Sequence, residues 1–174
     1  FNIPKAKWDF KSKKIPHKIP LNVGLLRLFG YFLAEGMIYD QPCRTYIALS
    51  FNINEKELVE DVTNIVKNIF NLDVVVRLAP RRKTAVVYIF SAGLARFFKQ
   101  LFSTGAGKKT IPHFIMKLPL EKQRHLIYGL WKGDGYINLT RIGPMAGYVT
   151  ISHRLAQQVK TLLLRQKIVP SIYI

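Results

Sequence analysis

The sequence predicts an α+β protein made of two pseudo-symmetric αββαββα repeats, of which the second is short at its C-terminal end. Two related segments predict the repeats: residues 28–36 (LFGYFLAEG) and residues 127–135 (IYGLWKGDG) are apolar runs that end in an acid and a glycine. Residues 44–52 predict the β component, because apolar and polar residues alternate there as they do in a strand with one buried face.

Small residues recur at the same two places in both segments. They stand four residues apart and therefore lie on one helix face. A face without bulk lets two helix backbones approach closely. We therefore expect the two helices to pack on these faces, which brings their acidic ends, Glu35 and Asp134, side by side. The predicted helix interface consists of Gly30, Ala34, Gly129 and Gly133.

The elements of the first repeat follow from periodicity and turn signals. A basic turn, Pro80 to Lys83, separates two strands, and Asn54 is expected to cap the second helix. The predicted elements are a helix at 25–35, strands at 37–41 and 44–52, a helix at 55–70, strands at 74–78 and 84–90, and a helix at 92–102.

The second repeat begins in the same way and then stops. The predicted elements are a helix at 121–134, strands at 136–140 and 148–152 around a loop with Gly143 and Pro144, a helix from Ser152 or His153 to 167, and a strand at 169–174. One strand and one helix of the first pattern are missing, so the repeat is either naturally short or truncated. The predicted organisation is a basic arm at 1–20, a first repeat at 21–103, a linker at 104–119 and a second repeat at 120–174.

The charge balance indicates a polyanionic partner. The chain of 174 residues has 27 Lys and Arg against 10 Asp and Glu, a net charge of +17. No apolar run is long enough for a membrane helix, so no membrane partner is expected. The lysine-rich start has no signal-peptide pattern, and the single Cys43 excludes internal disulfides and a cysteine zinc site. We expect a cytoplasmic protein, and composition favours an archaeal source over the alternative, an organelle matrix.

The two segments resemble the motif of the LAGLIDADG homing endonucleases, and two copies in one chain resemble the monomeric members of that family. The second copy, 128–136, is close to the family pattern, whereas the first has Glu35 in place of Asp. Residues 109–114 (KTIPHF) are similar to a Lys-x-Ile-Pro-x-Phe stretch of the family, and residues 15–17 echo it. The resemblance extends from residue 15 to the end. We expect an archaeal, intron-encoded protein, since its size fits a free-standing one, and an intein context is less favoured because no splicing residues are visible at the ends of the sequence.

The paired acids indicate metal-dependent chemistry. Hydrolysis of a phosphodiester needs an activated water and neutralisation of charge on the leaving oxygen, and divalent metals supply both. Glu35 and Asp134 each stand at the C-terminal end of a helix, where a carboxylate is disfavoured unless a cation is present. The resemblance implies two or more Mg²⁺ or Mn²⁺ ions, ligation by the carbonyls of Ala34 and Gly133, and a basic residue, Lys109, near the scissile phosphates.

The outward faces of the strands are the predicted DNA contacts. Arg and Lys pair with guanine edges, Gln and Asn pair with adenine, and an antiparallel ribbon fits the major groove. The basic hairpin tip is expected to bind phosphate. The candidate residues are Tyr39, Gln41, Arg44, Tyr46, Ser50, Arg77, Arg81, Arg82, Lys83, Asn138, Thr140, Tyr148, Thr150, Ser171 and Tyr173.

The resemblance implies a site-specific, Mg²⁺-dependent endonuclease that cuts both strands of double-stranded DNA. The expected cleavage crosses the minor groove of a long asymmetric target and leaves short 3′ overhangs. With both motifs on one chain, a monomer is expected. Two alternatives stay open at this point: a maturase that binds its intron RNA, and a DNA-binding protein that has lost activity.

Overall fold

The computed structural model describes residues 15–16, 18–141 and 143–173, so most of the predicted basic arm at 1–20 lies outside the described residues. The described residues form an α+β fold, as predicted. Its helices and strands, in chain order, are α1 (Val23–Glu35), β1 (Gly36–Gln41), β2 (Arg44–Asn52), α2 (Lys56–Phe70), β3 (Val75–Ala79), β4 (Thr84–Ile89), α3 (Ala92–Phe102), α4 (His113–Met116), α5 (Leu120–Asp134), β5 (Gly135–Thr140), β6 (Gly143–Tyr148) and α6 (His153–Arg165).

The first seven elements have the predicted αββαββα order. Their four strands form one antiparallel sheet in the order β1-β2-β4-β3. Ile47, Leu49 and Val87 point to the helices and are fully buried. Helices α1, α2 and α3 pack against this face. The opposite face of the sheet carries no helix of the described chain and remains available to a partner.

Aromatic side chains join α1 to α3 in the core. Phe29 contacts Phe98 and Phe102 edge to face, with ring centroids 5.5 and 4.9 Å apart. Phe32 meets Phe98 in the same way at 5.0 Å. Because edge-to-face pairs have preferred geometries, they hold α1 at one angle over the sheet and so fix the position of its C-terminal end.

Helix α1 packs closely against α5, and the small-residue faces form this contact as predicted. A Cβ on Gly30 would collide with Leu126 O and lie 2.7 Å from Gly129 Cα. A Cβ on Gly129 would collide with Arg27 O, and one on Gly133 would collide with Ala34 Cβ. The two backbones are therefore as close as glycine allows, and the predicted interface is confirmed.

Both motif helices run directly into a strand. Gly36 and Gly135 have nearly identical extended conformations, with φ −82° and ψ 143° or 149°. A Cβ on Gly36 would collide with Phe32, and one on Gly135 would collide with Trp131 O. The glycine after each acid is therefore required by close packing of the strand start on the helix end, and each acid stands at a helix-to-strand junction.

The second repeat differs from its prediction in both later strands. Strand β6 is at Gly143–Tyr148, so the prediction of a strand at 148–152 and a loop with Gly143 and Pro144 was wrong. The reason is a tight hairpin that pairs Thr140 directly with Gly143. Residues 169–173 form no strand, because none of the strands in the described ranges pairs with them, and Val169 is 86% exposed.

Two local details also differ. The N-cap of α2 is Glu55, and the Asn54 side chain does not cap this helix. Instead Glu55 Oε2 accepts a hydrogen bond from Asn52 N (2.8 Å), and Asn54 N donates to Asn52 Oδ1 (3.0 Å). These bonds form a turn, and the helix begins one residue later than expected. The short α4 within the predicted linker had no sequence signal.

The proposed boundaries of arm, repeats and linker stay predictions. No helix within the described ranges is long and apolar enough to cross a membrane.

The helix contact predicts a position-dependent effect of added methyl groups. Gly30→Ala and Gly129→Ala should each lower the melting temperature by several degrees, because the methyl group meets backbone atoms that cannot move aside, and overpacking costs about 1–3 kcal/mol. Gly24→Ala in the same helix α1 is the matched control, since its methyl group would make only contacts of 3.4 Å or more. Its melting temperature should equal or exceed that of the wild type, because alanine favours the helix. Equal melting temperatures for all three variants would contradict the close contact.

Candidate metal centre at the paired helix ends

The structure brings the two predicted catalytic acids together. Glu35 is the last residue of α1 and Asp134 is the last residue of α5, and both are partly buried. Glu35 reaches across the contact: its Cγ lies 3.2 Å from the place that a Cβ of Gly133 would occupy. The crossing of the two glycine-lined helices therefore places both carboxylates at one point of the molecule.

The charge of this pair is poorly compensated. Burial, then the charges of Asp134 and Glu55, raise the pKa of Glu35 to about 7, while Lys109 opposes the rise. Burial likewise raises the pKa of Asp134, again opposed by Lys109. Neither carboxylate accepts a hydrogen bond from a residue in the described ranges. Two partly buried carboxylates without hydrogen-bond donors form a site that favours a cation.

Lys109 lies beside the acids, as predicted, and its contacts are unexpected. Its Nζ donates to Phe32 O and to Ala34 O, both at 3.0 Å. The residue is only 7% exposed, and burial lowers its pKa to about 8 although both carboxylates act in the opposite direction. An ammonium group suits the negative C-terminal end of α1. Lys109 therefore compensates part of the charge through the helix end, without an ion pair to either acid.

Helix α6 holds the segment that carries Lys109. Ser152 Oγ donates to Lys109 O (2.8 Å) and accepts from Leu155 N as the N-cap of α6 (3.2 Å). Gln158 binds both backbone groups of Ile111, donating to its O (2.7 Å) and accepting from its N (2.8 Å). Sequence reasoning missed this role for Ser152 and Gln158, because nothing in the sequence shows which backbone a helix side chain reaches.

The donor set at the helix ends fits a hard divalent cation. The carboxylates of Glu35 and Asp134 supply oxygen ligands, and the predicted carbonyl ligands of Ala34 and Gly133 lie next to them. Ala34 O also accepts from Lys109, which leaves one lone pair of that carbonyl. Within the described chain no group of three or more His, Cys, Asp or Glu residues is placed to hold a metal. Such a cation would keep several waters or bind substrate oxygens, as Mg²⁺ does.

Strand register places most of the predicted contacts of the first repeat on one face of its sheet. Gln41 pairs with Arg44, and Tyr39 pairs with Tyr46. Ser50 and Arg77 both pair with Val86 of β4. Because directly paired residues point to the same side, one exposed face carries Tyr39, Gln41, Arg44, Tyr46, Ser50 and Arg77. Their contact with DNA stays a prediction.

Aromatic rings and guanidinium groups cover this face. Tyr39 stacks on Tyr46 with centroids 5.0 Å apart. The Arg44 guanidinium lies 5.2 Å from the Tyr46 centroid and 5.3 Å from that of Phe90, and the Arg77 guanidinium lies 5.5 Å from that of Tyr88. Tyr88 and Phe90 were missed as candidates, although the alternation through residues 84–90 could have found them. Stacking of this kind holds the cationic groups in place on the sheet.

The basic hairpin tip is exposed, as expected. Residues Pro80–Arg82 form a short 3₁₀ turn, and Lys83 follows in the left-handed conformation with φ 51°. Arg81, Arg82 and Lys83 are all exposed and form no ion pair with a described residue. The hairpin therefore presents three cationic side chains beyond the edge of the sheet.

The second repeat offers fewer of the predicted contacts. Asn138 and Thr140 share an exposed face of β5, and Thr140 Oγ1 also donates to Gly143 O (2.7 Å). Tyr148 pairs with Gly135 and points to the opposite face, so its assignment to the DNA face was wrong. Thr150, Ser171 and Tyr173 were assigned to strands that do not form, since the real strand ends at Tyr148. The β5–β6 ribbon is therefore narrower than the sheet of the first repeat.

Part of the chain matches a known family, and several longer proteins contain a similar segment. Residues 121–174 match the LAGLIDADG-like domain. The uncharacterised protein MJ0043 of Methanocaldococcus jannaschii is 32% identical over 140 residues, which are 78% of this chain and 17% of that protein. A DNA polymerase of Thermococcus hydrothermalis is 28% identical over 157 residues, 87% of this chain and 9% of that protein. The chain spans less than a fifth of the length of each of these relatives.

Solved structures show the same fold. The homing endonuclease I-DmoI in complex with DNA and Mn has a TM-score of 0.55 and 13% identity over 87% of this chain and 83% of that one. A structure of mesophilic variants of the same endonuclease has a TM-score of 0.57 and 9% identity, covering 88% of this chain and 82% of that one. The chain therefore has the fold of the LAGLIDADG homing endonucleases, with a LAGLIDADG-like domain at residues 121–174.

Proposed function

We propose that the chain is a site-specific, divalent-metal-dependent endonuclease that cuts both strands of DNA. The observation that carries the proposal is the pair of partly buried acids, Glu35 and Asp134, at two matching helix-to-strand junctions. They lie beside a buried lysine and on a fold that presents cationic antiparallel strands. The similarity to an endonuclease bound to DNA and Mn supports the same reading.

In the proposed reaction the two carboxylates would hold two or more divalent cations, Mg²⁺ or Mn²⁺, at the helix ends. When bound, such a cation lowers the pKa of a water and offsets charge on the leaving oxygen. The acids of the two motifs then serve the two strands of one duplex. The closeness of the helices sets the separation of the two reaction points, and the minor groove is the place where two such phosphates come near each other.

Lys109 has a separate part in this proposal. Its ammonium group is held against the α1 carbonyls, close enough to the acids for both carboxylates to raise its pKa against the effect of burial. A cation fixed at this distance offsets negative charge that accumulates on a phosphate in the transition state. Because Glu35 is one methylene longer than Asp134, the two halves of the site are not equivalent, and the two strands are not expected to be cut at equal rates.

Charge and shape support DNA as the substrate. The net charge of +17 favours a polyanion, and the exposed face of the four-stranded sheet presents arginines stacked on aromatic rings. We propose that this sheet lies in the major groove over one half of the target site and that the β5–β6 ribbon contacts the other half. We also propose that the enzyme acts as a monomer. A long asymmetric target and short 3′ overhangs belong to the same proposal. Several of the similar structures are complexes with DNA, and no observation on the described chain favours intron RNA.

The setting of the protein is also a proposal. Archaeal relatives support the cytoplasm of an archaeal cell. An intron is the context that the resemblance implies. The relatives contain the similar segment within much longer proteins, and this supports a place within a longer polypeptide as well.

Removing either carboxylate charge should stop double-strand cleavage without loss of binding. Glu35→Gln and Asp134→Asn should each lower the cleavage rate at least a hundredfold, because the metal loses a charged ligand, while the Kd for cognate DNA changes less than threefold. Cleavage is measured on a plasmid with the cognate insertion site, and Kd by fluorescence anisotropy in Ca²⁺. Glu60→Gln, at an exposed position of α2, is the matched control and should cut normally. Full double-strand cutting by either acid variant would refute the assigned centre.

The raised pKa of Glu35 predicts a pH-dependent stability in the absence of metal. Its folded pKa of about 7 lies above the ordinary 4.5. Between these pH values Glu35 keeps its proton in the folded state and loses it in the unfolded state, so stability falls as pH rises from 4.5 to 7. Glu35→Gln should flatten this fall, measured as melting temperature in EDTA at pH 4.5, 6 and 7.5. Added Mg²⁺ should raise the melting temperature of the wild type at pH 7.5 more than that of the variant. Parallel pH curves for both proteins would contradict the buried charge.

The basic hairpin tip predicts a change in the salt dependence of binding. The logarithm of affinity for cognate DNA should fall linearly with the logarithm of salt, by about 0.9 per phosphate contact. Replacing Arg81 and Lys83 together with Ala should make this slope shallower by up to about two. Replacing the exposed Lys117 and Lys122, at the other end of α5, removes the same charge and should leave the slope nearly unchanged. Equal slopes in both double variants would show that the tip does not contact phosphate.

A further inference from the structure

The hydroxyl group of Tyr148 is buried and has no hydrogen-bond partner among the described residues. Burying a hydroxyl without a partner is costly, and most buried polar groups in proteins are paired. The ring explains part of the burial, because it packs against the hydrophobic core. It does not explain why the residue carries a hydroxyl group, since a phenylalanine at this position would lose no hydrogen bond to a described residue.

The position of Tyr148 directs this hydroxyl to the metal centre. Tyr148 is the last residue of β6 and pairs with Gly135, the residue directly after Asp134. Its side chain lies on the face of the ribbon opposite Tyr136 and Asn138 and packs against the core at the end of the ribbon that adjoins α5. Besides burial, the charges of Asp134 and Glu35 raise the pKa of the Tyr148 hydroxyl, which agrees with the position that the register gives it. The unpartnered donor therefore lies next to the paired acids.

The first repeat has no corresponding hydroxyl. Gly36 pairs with Leu49 as Gly135 pairs with Tyr148, and Leu49 is a fully buried core residue. Asp134 therefore has a hydroxyl donor in its neighbourhood at a register position where Glu35 has a hydrocarbon. This difference between the two halves of the centre is independent of the different lengths of the two acids.

We propose that the Tyr148 hydroxyl donates a hydrogen bond to an oxygen atom held between the two carboxylates, either a metal-bound water or an oxygen of the scissile phosphate. The proposal rests on the proposed function of this site. Either oxygen would satisfy the donor, which no described residue does. Since the first repeat has Leu49 instead, the contact serves one of the two DNA strands, and it makes Tyr148 a catalytic residue for the cleavage of that strand.

Tyr148→Phe removes the hydroxyl alone and is tested with three readouts. The cleavage rate of one strand of a duplex labelled on either strand should fall at least tenfold, and that of the other less than threefold, so that nicked product accumulates. Mn²⁺ affinity, measured in the absence of DNA from the paramagnetic signal of free Mn²⁺, should fall about tenfold if the partner is a metal-bound water. Unchanged Mn²⁺ affinity with a loss in one strand supports a phosphate oxygen instead.

The melting temperature separates this role from a structural one. Tyr148→Phe should not lower it, because the hydroxyl has no partner within the described chain. Tyr31→Phe should lower it, because the Tyr31 hydroxyl donates to Asp61 at 2.8 Å. Tyr128→Phe, at an exposed position of α5 outside the proposed DNA face, is the matched control and should leave both strand rates and Mn²⁺ affinity unchanged.

Two results overturn the proposal: unchanged strand rates together with unchanged Mn²⁺ affinity, or an equal loss in both strands with a lowered melting temperature. If the wild type cuts no duplex, the proposed function fails. The Mn²⁺ titration of the wild type and Tyr148→Phe then decides the assignment of Tyr148 by itself, and equal affinities overturn it.

Discussion

The close contact between α1 and α5 is the constraint on which the rest of the structure depends. Gly30 and Gly129 allow the backbones to touch, and nearer the helix ends Gly133 leaves room for the Cβ of Ala34. Each helix then passes into its strand through a glycine that packs on the preceding turn. One packing arrangement thus positions the two acids and orients the strands that leave the junctions. Chemistry and substrate binding are coupled through the same few backbone contacts.

This arrangement has an electrostatic cost. It places two carboxylates at the negative ends of two helices, partly buried and without hydrogen-bond donors from the described residues. Lys109 relieves the cost only in part, since it binds the carbonyls of Phe32 and Ala34 and not the acids. A structural role would favour neutral or paired residues at such a place. Unpaired charge kept at a packed junction is typical of a functional site, where bound metal or substrate supplies the compensation.

Much of this arrangement could be predicted from local sequence patterns. The helix interface and the paired acids follow from small residues at four-residue spacing, and the face shared by Tyr39, Arg44 and Arg77 follows from strand alternation. The errors in the strands have one physical origin, because a strand forms only with a neighbour to pair with. The register of β5 and β6 places Tyr148 on the face opposite Asn138, and residues 169–173 pair with no strand of the described ranges. The two hydrogen bonds between the Gln158 side chain and the backbone of Ile111 depend on tertiary contact, so no local sequence pattern predicts them.

The central claim is that Glu35 and Asp134 act as one divalent-metal centre. It is tested most directly by a crystal structure with bound cognate DNA and Mn²⁺, in which anomalous scattering locates the manganese. The claim predicts manganese at the junction of α1 and α5, within about 2.0–2.3 Å of a carboxylate oxygen from each acid and beside a phosphate of the DNA. Manganese bound at only one acid, or bound elsewhere with the two carboxylates empty, would contradict it.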